Sequence, residues 1–234
     1  MAAIYALRFP LYVVLSRPWS ESAARPAAGH SAIEAPNIEA DALYVYDSYP
    51  YPRAEITNPR FQLDGVESPA LSGRTPVETA ANRAKAYLRA IAPEIGLAPF
   101  EGLREMSVSA GAPPYNFVVV LQRTVDGIDV EGATAIVTIG PKDEVTEVIV
   151  DLVRLDDSVA LITSKSGLSE SAIVQRMAWL TGWTPESMWC ERYVSAKAPH
   201  LRWRVRFGLE VVTVDAITGA FVGYKMMPAF LPWK

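Results

Sequence analysis

FVVVLQRTVDGIDVEGATAIVTI, residues 117–139, decides the fold. Phe117–Val125 alternates, placing Phe117, Val119, Leu121 and Val125 on one face, the period-two pattern of a strand with a buried side. Asp126-Gly127 comes next, and both residues tolerate positive φ, which is the composition of a tight hairpin turn. Ile128–Ile139 is the return strand.

The pattern extends in both directions. Downstream, Gly140-Pro141-Lys142-Asp143 is a second turn and Val145–Val153 a third strand. Upstream, Thr75-Pro76-Val77-Glu78 is a capping box with proline at the first helical position. The Thr75 hydroxyl is expected to accept from the Glu78 N–H, and the Glu78 carboxylate from the Thr75 N–H. The helix runs to about Ile91, with Pro93 as its stop, and Ala80, Ala84, Tyr87, Leu88 and Ile91 form its apolar face.

The same order then recurs. Ser169 or Ser166 caps a helix that reaches about Leu180 and ends at Gly182. Strands follow at Met188–Ser195, Leu201–Phe207, Glu210–Asp215 and Ala220–Met226. A helix laid on one face of an antiparallel meander buries both apolar surfaces. The reading is therefore α+β: two tandem cystatin-like domains, 75–158 and 159–234. Residues 1–74 hold nine of the 18 prolines if Pro76 is counted with them. They read as an extended arm or extra strands, with Ala42–Tyr46 a short strand and Tyr49-Pro50-Tyr51-Pro52 a polyproline-like stretch.

Within the hairpin, Gln122–Gly132 reads Q-R-T-V-D-G-I-D-V-E-G. This resembles the propeptide domain that precedes thermolysin-like and fungalysin proteases, whose hairpin shows Q-x-T-Y-x-G-I-P-V-x-G. Gln122, Thr124, Gly127, Ile128, Val130 and Gly132 match, while Val125 and Asp129 replace the usual aromatic and proline. The second half is similar to a PepSY domain. Leu168-Ser169-Glu170-Ser171-Ala172 matches its helix opening, and Val214-Asp215-Ala216-Ile217-Thr218-Gly219 matches its V-D-A-x-T-G ending. The resemblance covers about residues 75–228. It implies a module that helps a protease fold, inhibits it, or regulates a peptidase at the cell envelope or outside the cell. No protease domain follows in the sequence, so such a role is expected to act in trans. Read from the residues alone, Gln122, Gly127, Asp215 and Gly219 are structural: the two glycines shape turns, and Asp215 accepts backbone N–H groups of the turn after it.

Composition narrows the rest. In 234 residues, 22 Lys and Arg stand against 26 Asp and Glu, a net charge of −4, which is a poor footprint for nucleic acid. One cysteine, Cys190, excludes a disulfide framework, and His30 and His200 lack partners at metal-ligand spacing. No metal site, cofactor or catalytic motif is legible, and the chain is read as a non-enzyme. The longest apolar run, Ile4–Leu15, is broken by Arg8 and Pro10. It falls short of the roughly 20 residues a membrane-spanning helix needs.

Candidate partner-binding residues come from two patterns. Leu201–Phe207 places Arg202, Arg204 and Arg206 on one strand face, either as a cationic row for an acidic partner or as a solvated face paired with Glu191 or Glu210. The tyrosines near Pro50 and Pro52, Tyr49 and Tyr51 among them, are either a binding segment or an arm laid over the protein's own sheet. Trp179, Trp183 and Trp189 read as packing between helix end and sheet, and Cys190 as a small buried hydrophobe. The expected partner is a protein, a protease or other client docked on a sheet face or edge. The alternative is a structural subunit that forms a homo-oligomer through its N-terminal arm, apolar over Met1–Leu15.

Overall fold

In chain order the elements are β1 (Ala42–Tyr46), β2 (Arg53–Thr57), α1 (Pro76–Ala90), β3 (Glu101–Ala110), β4 (Phe117–Val125), β5 (Ile128–Ile139) and β6 (Val145–Asp151). They continue with α2 (Ser158–Thr163), α3 (Glu170–Thr181), β7 (Met188–Ser195), β8 (His200–Phe207), β9 (Glu210–Asp215) and β10 (Phe221–Met226). The structure is a computed structural model that describes residues 36–48, 51–60, 73–111, 116–155, 157–163, 167–195 and 200–227, with backbone alone at 160–162. The fold is α+β and mostly strand.

The central hairpin closes as its residues dictate. Val125 pairs with Ile128 across Asp126 and Gly127, whose φ angles of 50° and 77° are both positive. That combination is the two-residue turn whose twist matches the strands it joins. Beyond it the register breaks: Thr124 faces Asp129, but Gln122 faces Thr134. Val130–Ala133 is thus pushed out of the β4 ladder, and Gly132, at φ 65°, takes the sharp step.

The bulge has a consequence for the whole sheet. β5 pairs with β6 over Ala135–Ile139, and its first part turns away to pair in parallel with β7, Asp129 with Tyr193 and Val130 with Val194. Among the described residues, ten strands therefore form one sheet in the order β1-β2-β6-β5-β7-β8-β9-β10, with β3 and β4 attached through β5.

Two strands are not foreseen by the sequence pattern. β3 is half-exposed or exposed beyond its first residue, so it has no apolar alternation, yet its backbone pairs along β4 from Glu101↔Val125 to Ala110↔Phe117. β2 follows Pro52 and lies antiparallel along β6, from Arg53↔Asp151 to Thr57↔Glu147. Its Ala54 and Ile56 are fully buried.

α1 starts at its cap, where Thr75 Oγ1 accepts from the Glu78 N–H at 3.2 Å. The reciprocal half of the capping box differs from expectation. The Glu78 carboxylate accepts from the Arg74 N–H at 2.6 Å, one residue before Thr75. Ala80, Ala81 and Ala84 are small enough for α1 to lie close to the sheet, and with Tyr87 and Leu88 they cover Val119, Leu121, Val137, Ile139 and Val148. α3 is capped by Ser169, whose Oγ accepts from the Ala172 N–H at 3.2 Å, and it stops at Gly182 in the left-handed conformation. Its buried Ile173 and Met177 pack over Val205, Phe207, Val212 and Val214. The same cluster takes in Val125, Val130, Ala133 and Val153, so the second core is walled partly by the ends of the first meander.

Candidate protein-binding surface

Gln122, Arg123 and Thr124 are all buried, and each of the first two ties down irregular backbone. The Gln122 carboxamide donates from Nε2 to the carbonyls of Val130 (2.6 Å), Ala133 (3.0 Å) and Arg123 (3.2 Å). Those first two carbonyls lost their ladder partners to the bulge, and a buried carbonyl without a donor costs about 1–3 kcal/mol. Gln122 is thus the plug that lets the bulge exist.

Arg123 does comparable work on the other side. Its Nε donates to Glu101 Oε2 at 2.8 Å and its Nη2 to Glu101 Oε1 at 2.6 Å. Nη1 donates to the Val153 carbonyl at 2.7 Å, and Nη2 also reaches the Gly96 carbonyl at 2.9 Å. Both side chains of the ion pair are essentially inaccessible. The pair joins the loop after α1, the start of β3 and the chain leaving β6. Unlike Gln122, Arg123 has no motif to mark it; the one signal in the sequence is its place on the strand face of Phe117, Val119, Leu121 and Val125, where alternation calls for an apolar residue.

At the second motif, Asp215 Oδ1 accepts from the N–H groups of Ile217 (3.0 Å) and Thr218 (2.7 Å) and from the Thr218 hydroxyl (2.8 Å). Burial pushes its carboxyl up, but these hydrogen bonds together outweigh it and hold the carboxyl below its ordinary value. Gly219 sits at φ 69°, and a Cβ there would lie 2.7 Å from the Arg176 guanidinium and 2.8 Å from the Leu168 side chain. Gly127, at φ 77°, has open space around it, so its requirement is purely conformational.

The arginine row is not uniform. Arg204 donates to Glu191 Oε2 and to Glu131 Oε1, both at 2.9 Å, and its guanidinium lies 4.4 Å from the centre of the Tyr193 ring. Since Glu131 is in the β5 bulge, Arg204 helps hold the bulge to β7 and β8. Arg202 and Arg206 flank it on the same face, half-buried, opposite Tyr193 and Trp189. Tyr49 lies outside the described residues. Tyr51 is buried in the second core, and Tyr44 and Tyr46 are exposed on the edge strand β1.

The tryptophans depart from the expected packing. Trp179 is 83% and Trp189 52% exposed. Trp183 makes a partial contact, its ring 5.8 Å from that of Phe207. The reason is geometric: Trp179 is off the Ile173–Met177 stripe of α3, and Trp189 stands on the arginine face of the sheet. Cys190 is half-buried, and burial, with the nearby Glu170 charge, pushes its thiol up to about 11, so it is a thiol rather than a thiolate at neutral pH. Among the described residues no cluster of three or more His, Cys, Asp and Glu is placed to hold a metal ion, and no helix is long and apolar enough to cross a membrane.

With this geometry in place, comparison with known proteins adds one family. The Fungalysin/Thermolysin Propeptide Motif matches residues 118–152, which is β4, its hairpin, β5 and β6. No curated protein matches the chain. Among solved structures, the C-terminal domain of Bacillus megaterium YpeB is similar, at 11% identity over 80% of this chain and 89% of that one. The TM-score of that match is 0.30.

Proposed function

We propose that this chain is a non-catalytic, propeptide-like module with a PepSY-like second half, and that it binds another protein in trans as a peptidase inhibitor, chaperone or regulator. One observation carries the reading: the propeptide motif falls on 118–152, the segment in which Gln122 and Arg123 fix an irregular hairpin. A propeptide motif is not a catalytic domain, and within it Gln122 and Arg123 hold the backbone in shape. In this reading the chain is organised as two cystatin-like units, 75–158 and 159–234, with the first extended by the β1–β2 hairpin. Each unit has its own helix over a buried cluster, the second of which also draws in Val125, Val130, Ala133, Val153 and Leu155 from the first unit. Arg202, Arg206 and the exposed tyrosines of β1 are rim contacts.

The test uses the full chain and thermolysin. Micromolar or tighter inhibition, or a several-fold gain in the yield of thermolysin refolded from urea, is the expected result. No effect on activity or on refolding, with thermolysin and with a fungalysin-type protease, overturns the proposal.

A further inference from the structure

The two helix-on-sheet halves end differently at the same place. In the first, the last strand of the meander, β6, is not an edge, because β2 lies along it and sends Ala54 and Ile56 into the core under α1. In the second, the last strand, β10, is the edge of the sheet. No described strand takes the place beside β10 that β2 takes beside β6.

The register shows what this leaves bare. Trp203 pairs with Val214 and Val214 with Phe221; Val205 pairs with Val212 and Val212 with Tyr224. Phe221 and Tyr224 thus belong to the core-facing side, with Met226 two residues further on. Yet they are 68%, 48% and 64% exposed. α3 covers β7 to β9 and stops short of β10. Between them lies a groove of about 160 Å³, almost wholly apolar, with Ile173, Arg176 and Leu180 on one wall, Val212 and Val214 beneath and Phe221 opposite. A contiguous patch of this kind beside an open edge marks an interaction site.

Charge indicates the occupant. Arg176 is in the groove wall, and Lys225 stands on the other face of β10, the face that Arg206 shares across Val211. Neither has an ion-pair partner among the described residues. We infer that β10 and this groove receive an extended segment of another protein as an added strand, one that alternates apolar side chains with carboxylates. The apolar side chains fill the groove as Ile56 fills the first core, the backbone pairs with β10, and the carboxylates, on the opposite face of the added strand, meet Lys225. A second copy of this chain fits worse. β10 against β10 would bring two Lys225 onto one face with no carboxylate on β10 to offset them, and a lysine on an edge strand works against self-pairing.

This inference rests on the reading of the chain as a protein-binding module, and its test separates the two. The probe is a blocked nine-residue peptide alternating valine and glutamate, with a valine–lysine twin, titrated into the full chain and followed by the amide resonances of Gly223 and Lys225. The glutamate peptide should bind at least tenfold tighter than its twin. Phe221→Asp should weaken it at least tenfold, and Lys225→Glu should narrow or reverse the preference; both are exposed positions, where the fold is retained. Equal binding of both peptides, binding of neither at millimolar concentration, or indifference to both variants overturns the site. So does a dimer by light scattering that Phe221→Asp dissociates. Thermolysin inhibition that survives Phe221→Asp unchanged overturns the site while leaving the binding-module reading intact.

Discussion

Replacing Arg123 with alanine should be among the most damaging single changes in the first half of the molecule. The side chain makes four hydrogen bonds, two to Glu101 and one each to the carbonyls of Val153 and Gly96. Its loss leaves the Glu101 carboxylate buried with the Ala98 N–H, at 2.7 Å, as its remaining donor. Removing one member of a buried ion pair costs about 3–5 kcal/mol. Each orphaned carbonyl adds about 1–3 kcal/mol, less whatever entering water recovers. A loss of about 5 kcal/mol follows, at the lower limit of a typical domain's whole stability of about 5–15 kcal/mol. Glu101→Gln should cost about 3–5 kcal/mol, since it leaves the Arg123 guanidinium buried without its counter-charge and turns a carboxamide NH2 toward a donor of Arg123 or Ala98. The pair Arg123→Met with Glu101→Leu should recover roughly half of the loss. It removes the unpaired charge but not the orphaned carbonyls of Gly96 and Val153. Urea unfolding followed by tryptophan fluorescence gives all of these values by linear extrapolation. A cost for Arg123→Ala below about 1 kcal/mol, or a coupling between the two positions below about 0.5 kcal/mol, would refute the reasoning.

Gln122→Ala should cost about 2–3 kcal/mol by stripping the donor from two bulge carbonyls, and it should speed amide exchange at Val194, on the strand paired with the bulge; unchanged exchange would mean the bulge holds without its plug. Ile56→Ala should cost about 2–4 kcal/mol, and a chain begun at residue 75 should unfold at lower urea than the full chain, because Ala54 and Ile56 are core residues supplied from outside that fragment; equal midpoints would contradict this. Asp215 has a depressed carboxyl, so its contribution is whole above the ordinary carboxylate value near 3.9 and is lost as pH falls through the lower folded value. Asp215→Asn should therefore lie about 1 kcal/mol below the parent at pH 6, given the site's partial exposure, and converge with it near pH 2; a gap that widens toward acid would reverse the sign.

Much of the local structure is legible because its causes are local. The hairpin at Asp126-Gly127, the caps at Thr75 and Ser169, the stop at Gly182 and the strands of the second half each follow from neighbouring residues, through φ preference, an oxygen placed for an N–H, or alternation of period two. So does the turn after Asp215, whose acceptor and donors lie within three residues. β3 and β2 escape for opposite reasons. β3 has no buried face to write into its sequence, and β2 has one only because β6 lies beside it.

What the tertiary structure alone decides depends on groups distant in sequence. A bulge in β5 turns two meanders into one sheet because Val130 meets Val194. Arg123 is an internal staple because Glu101, Gly96 and Val153 converge on it. Three arginines that look equivalent on β8 are separated by Glu131, which claims Arg204. The apolar residues of β10 are exposed because α3 lies against β7 and β8 and no described strand lies alongside. Propensity and pattern act between near neighbours and can specify elements. Charge pairing, carbonyl satisfaction and edge coverage act between elements, so they are settled only where the chain folds back on itself.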